Sequence, residues 1–399
     1  MEAYLLDWLN LLTRWLHIIT GIAWIGASFY FVWLDDHLQP PAAAADAAKG
    51  VAGELWSVHG GGFYHAQKYR VSPATLPPEL HWFKWEAYWT FLSGFFLLCL
   101  VYYLNAEVYL IDKSVADIGP GAAVAIGLAT LAGGWIVYDR LCESPLGRNE
   151  RALAIVLAVL LCAAAYGLCR VYGGRGAFIH FGALLGTIMV ANVFFVIIPG
   201  QRELVDAKLE GREPDPVHGV RGKQRSVHNT YFTLPVLFTM ISNHYAGTYG
   251  PHYNWAVLIA LSAGGALIRV FFVARHKGKA SPAPAVIGVL VLAGAAIAMA
   301  PATRSAPARD SGAGQADFAA VSAIVAQRCA GCHSAKPTQP GFAEAPKGVM
   351  LDSPERIAAQ ALQINQQVST RAMPIGNLTQ MTDAERKVIA DWFQRGAPR

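Results

Sequence analysis

Long runs of apolar residues, separated by short polar segments, alternate along the first three quarters of the chain. Eight of these runs are long enough, or nearly so, to cross about 30 Å of hydrocarbon as helices. They cover residues 10–34, 87–105, 119–138, 152–172, 177–199, 230–247, 253–274 and 284–301. The pattern predicts an all-α integral membrane domain, an eight-helix bundle, over residues 1–301.

The apolar pattern ends near residue 302, and a different kind of sequence follows. Residues 302–314 are rich in Pro, Ala, Ser and Gly, which is typical of a linker between domains. Residues 315–399 have ordinary polarity and close with a helical pattern in which Thr382 is the expected N-cap and Glu385 completes a capping box. We therefore expect a small α-helical domain at 315–399.

Composition supports a membrane protein. Of the 399 residues, 54% are hydrophobic and only 15% are charged, whereas soluble domains are closer to a quarter charged. The formal net charge is +5, and no basic face or helix gathers it. A lipid membrane is the expected partner, and nucleic acid is not.

The positions of Lys and Arg predict an orientation. Sixteen of them fall in the first, third, fifth and seventh loops, and two fall in the N-terminal tail and the even-numbered loops. Basic loops stay in the cytoplasm. The pattern thus predicts that the N-terminus and the C-terminal domain lie on the outer side of the membrane, which is the periplasmic side of a bacterial inner membrane.

The strongest motif is Cys329-Ala-Gly-Cys332-His333 in the C-terminal domain. The spacing C-x-x-C-H is the attachment signature of a c-type haem, with two thiols for the vinyl groups and a histidine for the iron. A zinc site needs further Cys or His nearby, and residues 334–399 contain none. A thioredoxin-like pair belongs to a βαβ pattern, which is absent here. We predict one covalent haem c in a class I-like cytochrome c domain.

A methionine is expected as the second axial ligand of that haem. Met373 lies forty residues after the motif and precedes a proline. A thioether ligand raises the haem potential, which suits an electron acceptor. Met350 and Met381 are the rivals, the first expected in a loop and the second next to the closing helix.

Three histidines fall in the outer half of the predicted bundle: His17, His180 and His244. Ionisable groups at membrane depth are costly and are functional candidates by default. Two of the three could clamp a b-type haem between helices. The alternative is that each hydrogen-bonds a neighbouring helix.

A second polar cluster is predicted on the inner side, where aromatic, cationic and acid–base groups mix. Such a mix suits a planar anionic heterocycle, with rings to stack on it and cations to neutralise it. The candidate acid–base residues are His59, His65, His81 and Glu86, and the candidate binding residues are Trp56, Lys68, Arg70, Lys84 and His228. The alternative is an interfacial aromatic belt with snorkelling Lys and Arg.

With these residues identified, the chain resembles the membrane-bound, cytochrome c-linked urate oxidases (urate hydroxylases) of bacterial purine degradation. The similarity covers the whole length and is carried by RWLHIITGIAWIGASFYFVWLD (14–35), ELWSVHGGGFYHAQKYR (54–70), LHWFKWEAYWTFLSGF (80–95) and HNTYFTLPVLFTMISNHY (228–245). The first helix is also similar to that of the membrane-bound protoporphyrinogen oxidases, which bind haem b.

The resemblance implies oxidation of urate to 5-hydroxyisourate, with electrons passing to haem c and then to a respiratory oxidase or a soluble cytochrome. Hydrogen peroxide is not an expected product. Two other classes stay open: a quinol or protoporphyrinogen dehydrogenase with a haem c exit, and a non-catalytic electron-transfer or haem-sensing module. In the latter, the inner histidines are structural.

Overall fold

The structure is a computed structural model that describes residues 2–276, 278, 281–300, 314–340, 342 and 344–399. The predicted linker, 302–314, lies outside the described residues except for Gly314. The described chain is mostly helical. Its helices are α1 (Glu2–His37), α2 (Ala44–Ala48), α3 (Trp85–Leu97), α4 (Ala106–Tyr109), α5 (Pro120–Glu143), α6 (Glu150–Val171), α7 (Gly174–Ala191), α8 (Ile198–Leu209), α9 (Pro216–Ser242), α10 (Ala246–Tyr249), α11 (Asn254–His276), α12 (Ala283–Ala298), α13 (Gly314–Arg328), α14 (Pro354–Ala359), α15 (Ala361–Ser369) and α16 (Asp383–Gln394).

Six helical segments of the described chain are long and apolar enough to cross a membrane. They are Tyr4–His37, Trp85–Tyr103, Pro120–Glu143, Glu150–Val171, Gly174–Leu209 and Asn254–Arg275. The other two predicted spans also fall on helices, but α9 begins with a polar half and α12 has 16 residues, or about 24 Å of helix. The prediction of a mostly helical chain with several long apolar helices is confirmed, and these helices are consistent with a multi-pass membrane protein; the eight-helix bundle is not confirmed.

The all-α prediction missed a β-hairpin in the first loop. Strand β1 (Val51–His59) pairs antiparallel with β2 (Gly62–Tyr69). Gly60 and Gly61 form the turn, with φ of +58° and +83°, a left-handed conformation that favours glycine. Two aromatic and β-branched runs around a Gly-Gly pair are a hairpin signal. The sequence therefore contained the signal, but the length of the loop obscured it.

Helix α7 lies at the centre of the membrane part. It packs against α5, α6 and α9, and most of its residues are buried. A β-carbon at Gly182 would lie 1.9 Å from Oγ1 of Thr239 in α9, so only glycine permits this helix crossing. Small residues at helix crossings are the usual means of close packing in a membrane, where the hydrophobic effect drives little association.

The C-terminal domain has its own apolar core, built mainly by α13, α15 and α16. The core includes Val321, Ile364, Ile389 and Trp392, all of them buried. The predicted closing helix is confirmed, and Thr382 and Glu385 form the expected capping box. A polar cleft between this domain and the membrane part is lined by residues of the second, fourth and sixth loops. These are the loops that the Lys and Arg pattern assigned to the same side as the domain.

Candidate functional site

The C-x-x-C-H motif occupies a single turn directly after α13. The backbone N–H groups of Cys332 and His333 both donate to the Cys329 carbonyl, at 3.1 and 2.9 Å, and both thiols are free. Nδ1 of His333 donates to the Val349 carbonyl at 3.0 Å, which leaves Nε2 as the nitrogen available to a metal. Histidines that bind iron or zinc usually have their other ring nitrogen fixed in this way by a backbone carbonyl or a carboxylate. The residues therefore fit a covalent haem.

The environment of the first thiol disfavours a thioredoxin-like pair. Burial, reinforced by the neighbouring Cys332, raises the pKa of the Cys329 thiol to about 11. Redox-active C-x-x-C pairs need the opposite, a thiol with a lowered pKa. The thiol of Cys329 packs beside the apolar core of the domain, where a porphyrin edge has apolar neighbours.

The predicted axial ligand Met373 lies in a segment whose backbone is firmly held. Arg386, itself buried, donates from Nη1 to the carbonyls of Val368 and Met373, both at 2.8 Å. The Met373 N–H donates to the Gln367 carbonyl at 3.0 Å. Met381 is 3% exposed and belongs to the apolar core, as expected of a packing residue. Met373 as the ligand stays a prediction.

The three outer histidines have three different environments. Nδ1 of His17 donates to the Thr90 carbonyl at 3.0 Å, and its ring packs against Gly94 of α3. His180 is fully buried, with Nδ1 donating to the Gly176 carbonyl and Nε2 lying 3.2 Å from the Tyr103 hydroxyl. His244 is exposed after the end of α9. His17 thus keeps Nε2 available to a cofactor, whereas His180 has both ring nitrogens bonded within the protein.

The hairpin separates two of the predicted catalytic histidines. His65 pairs across the strands with Trp56, and the two rings stack at 4.2 Å. His59 pairs with Gly62, and its position in the alternation places it on the other face of the hairpin. Nε2 of His65 lies 2.9 Å from Oε2 of Glu54, a buried carboxylate. Glu54 accepts a hydrogen bond from the Ala42 N–H, and this bond is the main cause of its lowered pKa. His59 and His65 therefore do not face one substrate.

The other predicted inner residues are spread along the surface before α3. Nζ of Lys84 lies over the rings of Trp82 and Trp85, at 5.8 and 5.2 Å, as the interfacial-belt alternative expects. His81 is exposed and meets Phe83 edge to face. Arg70 is exposed, and Glu86 is half-buried at the first turn of α3. The described contacts do not join these residues into one site.

A large cleft lies elsewhere on the predicted inner side. It has a volume of about 1630 Å³, and its walls come from α6, α9, α11 and the turn after α5. Its lining carries five cations and two carboxylates, so the cleft is positively charged: Arg148, Arg151, Arg221, Lys223, Arg225, Glu143 and Glu150. His228 lines the cleft and is the single member of the predicted inner cluster that does. Lys68 does not line the cleft, but it shares an ion-pair partner, Asp35, with the lining residue Lys223.

His228 is held in a hydrogen-bonded chain. Its Nδ1 lies 2.8 Å from the Tyr138 hydroxyl, and its Nε2 lies 3.3 Å from Oε2 of Glu150. Nε2 of Gln224 donates to the other oxygen of Glu150 at 2.8 Å. His228 is 8% exposed, whereas the Glu150 side chain is 64% exposed at the mouth of the cleft. The chain connects a buried ring to solvent through one carboxylate.

A buried ion pair, Arg225 with Asp139, packs against Tyr138 at the inner end of this hydrogen-bonded chain. Nη2 of Arg225 lies 2.8 Å from Oδ1 of Asp139, and its guanidinium lies 5.0 Å from the centre of the Tyr138 ring. Nδ2 of Asn192 donates to the Tyr138 hydroxyl at 3.1 Å and to Oδ1 of Asn229 at 2.8 Å. Asn192 begins a π-helical stretch, Asn192–Ile197, between α7 and α8. Such interruptions are frequent at functional sites.

The membrane part also matches a protein-family model. Residues 3–300 match the model described as urate oxidase N-terminal. The chain belongs to this urate oxidase family. No curated protein and no solved structure matches it. The match supports a urate oxidase-related protein, and it ends before the segment that carries Cys329, Cys332 and His333.

Sequence reasoning missed most of the cleft of this urate oxidase-family protein. The sixth span was predicted to begin at residue 230, so Arg225 was assigned to a loop, whereas α9 begins at Pro216 and buries it. Glu150 and Asp139 were likewise assigned to a loop. The sequence did carry one signal: Arg225 lies a few positions before the apolar run of the sixth span. A charged residue in that place can belong to the same helix and be buried with it. The partners across helices could not be read from one sequence.

Proposed function

We propose that this chain oxidises urate to 5-hydroxyisourate at the membrane and passes the electrons to a haem c in its own C-terminal domain. The observation that carries the proposal is the match of residues 3–300 to the urate oxidase family, together with a cationic cleft in that same region. Urate is a planar monoanion at neutral pH. A cleft with more cations than carboxylates, apolar walls and one buried histidine suits such a molecule.

The reaction takes urate and water to 5-hydroxyisourate, two protons and two electrons. The oxygen therefore comes from water, and a base near the attacked carbon is required. We assign that base to the hydrogen-bonded pair of Glu150 and His228. Both ring nitrogens of His228 are bonded within the protein, so the exposed carboxylate of Glu150 accepts the proton of water, and the buried ring positions that carboxylate. Tyr138 and Gln224 hold the two members of this pair in place.

Two groups hold the charge of the substrate. Arg225 keeps its guanidinium over the Tyr138 ring, fixed by Asp139, and contributes positive potential to the buried end of the cleft. Arg148, Arg151 and Arg221 are exposed along the lining and draw the anion in from solvent. His65, His81 and Glu86 remain candidates for a role at the cleft mouth, and His59 is the least suited of the four.

Cys329 and Cys332 would attach haem c, and His333 would bind its iron, with Met373 as the proposed second ligand. Bound there, haem c supplies a one-electron acceptor for a two-electron substrate. The cleft and the C-terminal domain lie on opposite sides of the membrane part, so an intermediate carrier is needed between them. We propose a haem b for this place, with His17 the best-suited ligand because its Nε2 remains available.

The orientation proposal follows from the same arrangement. The membrane is the bacterial inner membrane, the cleft opens to the cytoplasm, and the C-terminal domain faces the periplasm. A respiratory oxidase or a soluble cytochrome then receives the electrons. The charge pattern of the loops and the periplasmic attachment of haem c both support this sidedness.

The test is His228→Gln in the full chain, with His218→Gln as the matched control. Both histidines line the cleft, but His218 is outside the hydrogen-bonded chain. Loss of a general base typically lowers kcat by about 10²–10⁴. We expect that loss for His228→Gln alone, with haem content unchanged in both variants. Equal activity of the two variants would exclude a role for His228 in the base.

A further inference from the structure

The C-terminal domain meets the membrane part at two places where backbone touches backbone. A β-carbon at Gly250 would lie 1.9 Å from the Thr370 carbonyl oxygen. From the other side, a β-carbon at Gly376 would lie 2.5 Å from the Val108 carbonyl oxygen. Each partner thus contributes one glycine to a gap too narrow for any side chain. Two reciprocal contacts of this kind specify one orientation.

Charged groups complete the contact. Arg371 and Asp383 of the C-terminal domain pair with each other, and both meet His252 of the sixth loop. Nε2 of His252 lies 2.7 Å from Nη2 of Arg371 and 3.2 Å from Oδ2 of Asp383. Nε2 of His252 accepts from the guanidinium, and the Asp383 carboxylate pairs with the same guanidinium. The three side chains therefore form one contact between the two parts of the chain.

The surface around these contacts is polar. A cleft of about 840 Å³ separates the two parts, lined by Asp112, Lys113, Arg170 and Arg175 on the membrane side, among others. Transient electron-transfer contacts between proteins are typically weak. Tethering on one chain compensates for weak affinity, because it raises the effective concentration of the partner.

The docked segment is the one that carries the proposed axial methionine. Thr370 and Arg371 precede Met373, and Gly376 follows it, so the contacts with the membrane part bracket this residue on both sides. We infer that the loop 370–377 is the electron-receiving face of the C-terminal domain, and that its partner is the outer surface formed by residues 108–112 and 249–252. The inference rests on the proposed haem c function.

A glycine substitution on the membrane side tests the inference without touching the haem domain. Gly250→Ala places a methyl group against Thr370, whereas Gly247→Ala, in the same segment, meets nothing within 4 Å. His252→Ala is the second variant, because it removes the side chain that meets Arg371 and Asp383. Hydrogen exchange of the full chain compares protection at 370–377, and stopped-flow absorbance follows haem c reduction after urate is added.

We expect Gly250→Ala and His252→Ala to lose protection at 370–377 and to reduce haem c more slowly than the parent and Gly247→Ala. Rapid exchange at 370–377 in the parent itself would overturn the docking, whatever urate does. Lost protection with an unchanged reduction rate would overturn the electron-receiving role. Intact protection in a parent whose haem c stays oxidised with urate would leave the docking standing and refute the proposed function.

Discussion

The buried pair Arg225–Asp139 makes the cleft testable through stability as well as activity. The Arg225 side chain is 4% exposed and the Asp139 side chain 19% exposed, with 2.8 Å between nitrogen and oxygen. Arg225→Met keeps the length and apolar bulk of the side chain but leaves the carboxylate without its cation. Removing one partner of a buried pair typically costs about 3–5 kcal/mol, because an uncompensated charge stays behind.

A matched control lies one residue away from Asp139. Arg140 pairs with Glu143 at 3.1 Å, but these side chains are 77% and 47% exposed. Exposed pairs contribute only about 0–1 kcal/mol. Arg140→Met therefore removes the same positive charge at nearly the same depth along α5, without uncovering a buried carboxylate.

Thermal unfolding in detergent, followed by tryptophan fluorescence, compares the variants. At about 2 °C for each kcal/mol in a large domain, we expect the midpoint of Arg225→Met to fall by about 6–10 °C. The midpoint of Arg140→Met should fall by at most about 2 °C. The double variant Arg225→Met with Asp139→Leu should recover most of the loss, since replacing a whole buried pair by apolar residues is often neutral. Equal midpoints for the two single variants would refute the burial argument.

Three further predictions concern other parts of the molecule. His59→Ala should leave urate turnover unchanged in membrane assays, because His59 and His65 lie on opposite faces of the hairpin. A large loss of turnover would show that His59 belongs to the active site. Tyr103→Phe should lower the unfolding free energy by about 1 kcal/mol, measured by denaturant titration, since it removes the hydroxyl partner of a buried histidine ring. Burial acts to raise the pKa of Glu385, but Thr382 and Arg328 outweigh it and hold that pKa below its usual range. The carboxylate then contributes stability above the unfolded pKa of about 4.3 and loses it as the pH falls through the lower folded value. The Soret band of the full chain should show that acid transition. Glu385→Gln should remove the part of the transition that is due to this carboxylate.

Local and periodic features were predictable from the sequence. Apolar runs located the long helices, and the capping box of α16 was expected from Thr382 and Glu385. These features depend on neighbours within one or two helical turns. The hairpin at 51–69 was also within reach, since Gly60 and Gly61 lie between two strand-like runs.

Contacts between distant segments were not predictable. Tyr138 and His228 are ninety positions apart, and their 2.8 Å hydrogen bond depends on how α5 crosses α9. The polar first half of α9 hid Arg225, because a buried arginine satisfied by a partner looks like a loop cation in sequence. Proximity along the chain also does not bring His59 and His65 together, because they lie in paired strands on opposite faces of the hairpin.

The most direct measurement is anaerobic reduction of the haem in membranes that contain the full chain. Urate should bring up the α band of reduced c-type haem without oxygen, with about two haems reduced for each urate consumed and no hydrogen peroxide formed, since each haem accepts one electron. If the band stays oxidised with urate while dithionite reduces it, or if urate is consumed with equimolar peroxide, electron transfer from urate to this haem is contradicted.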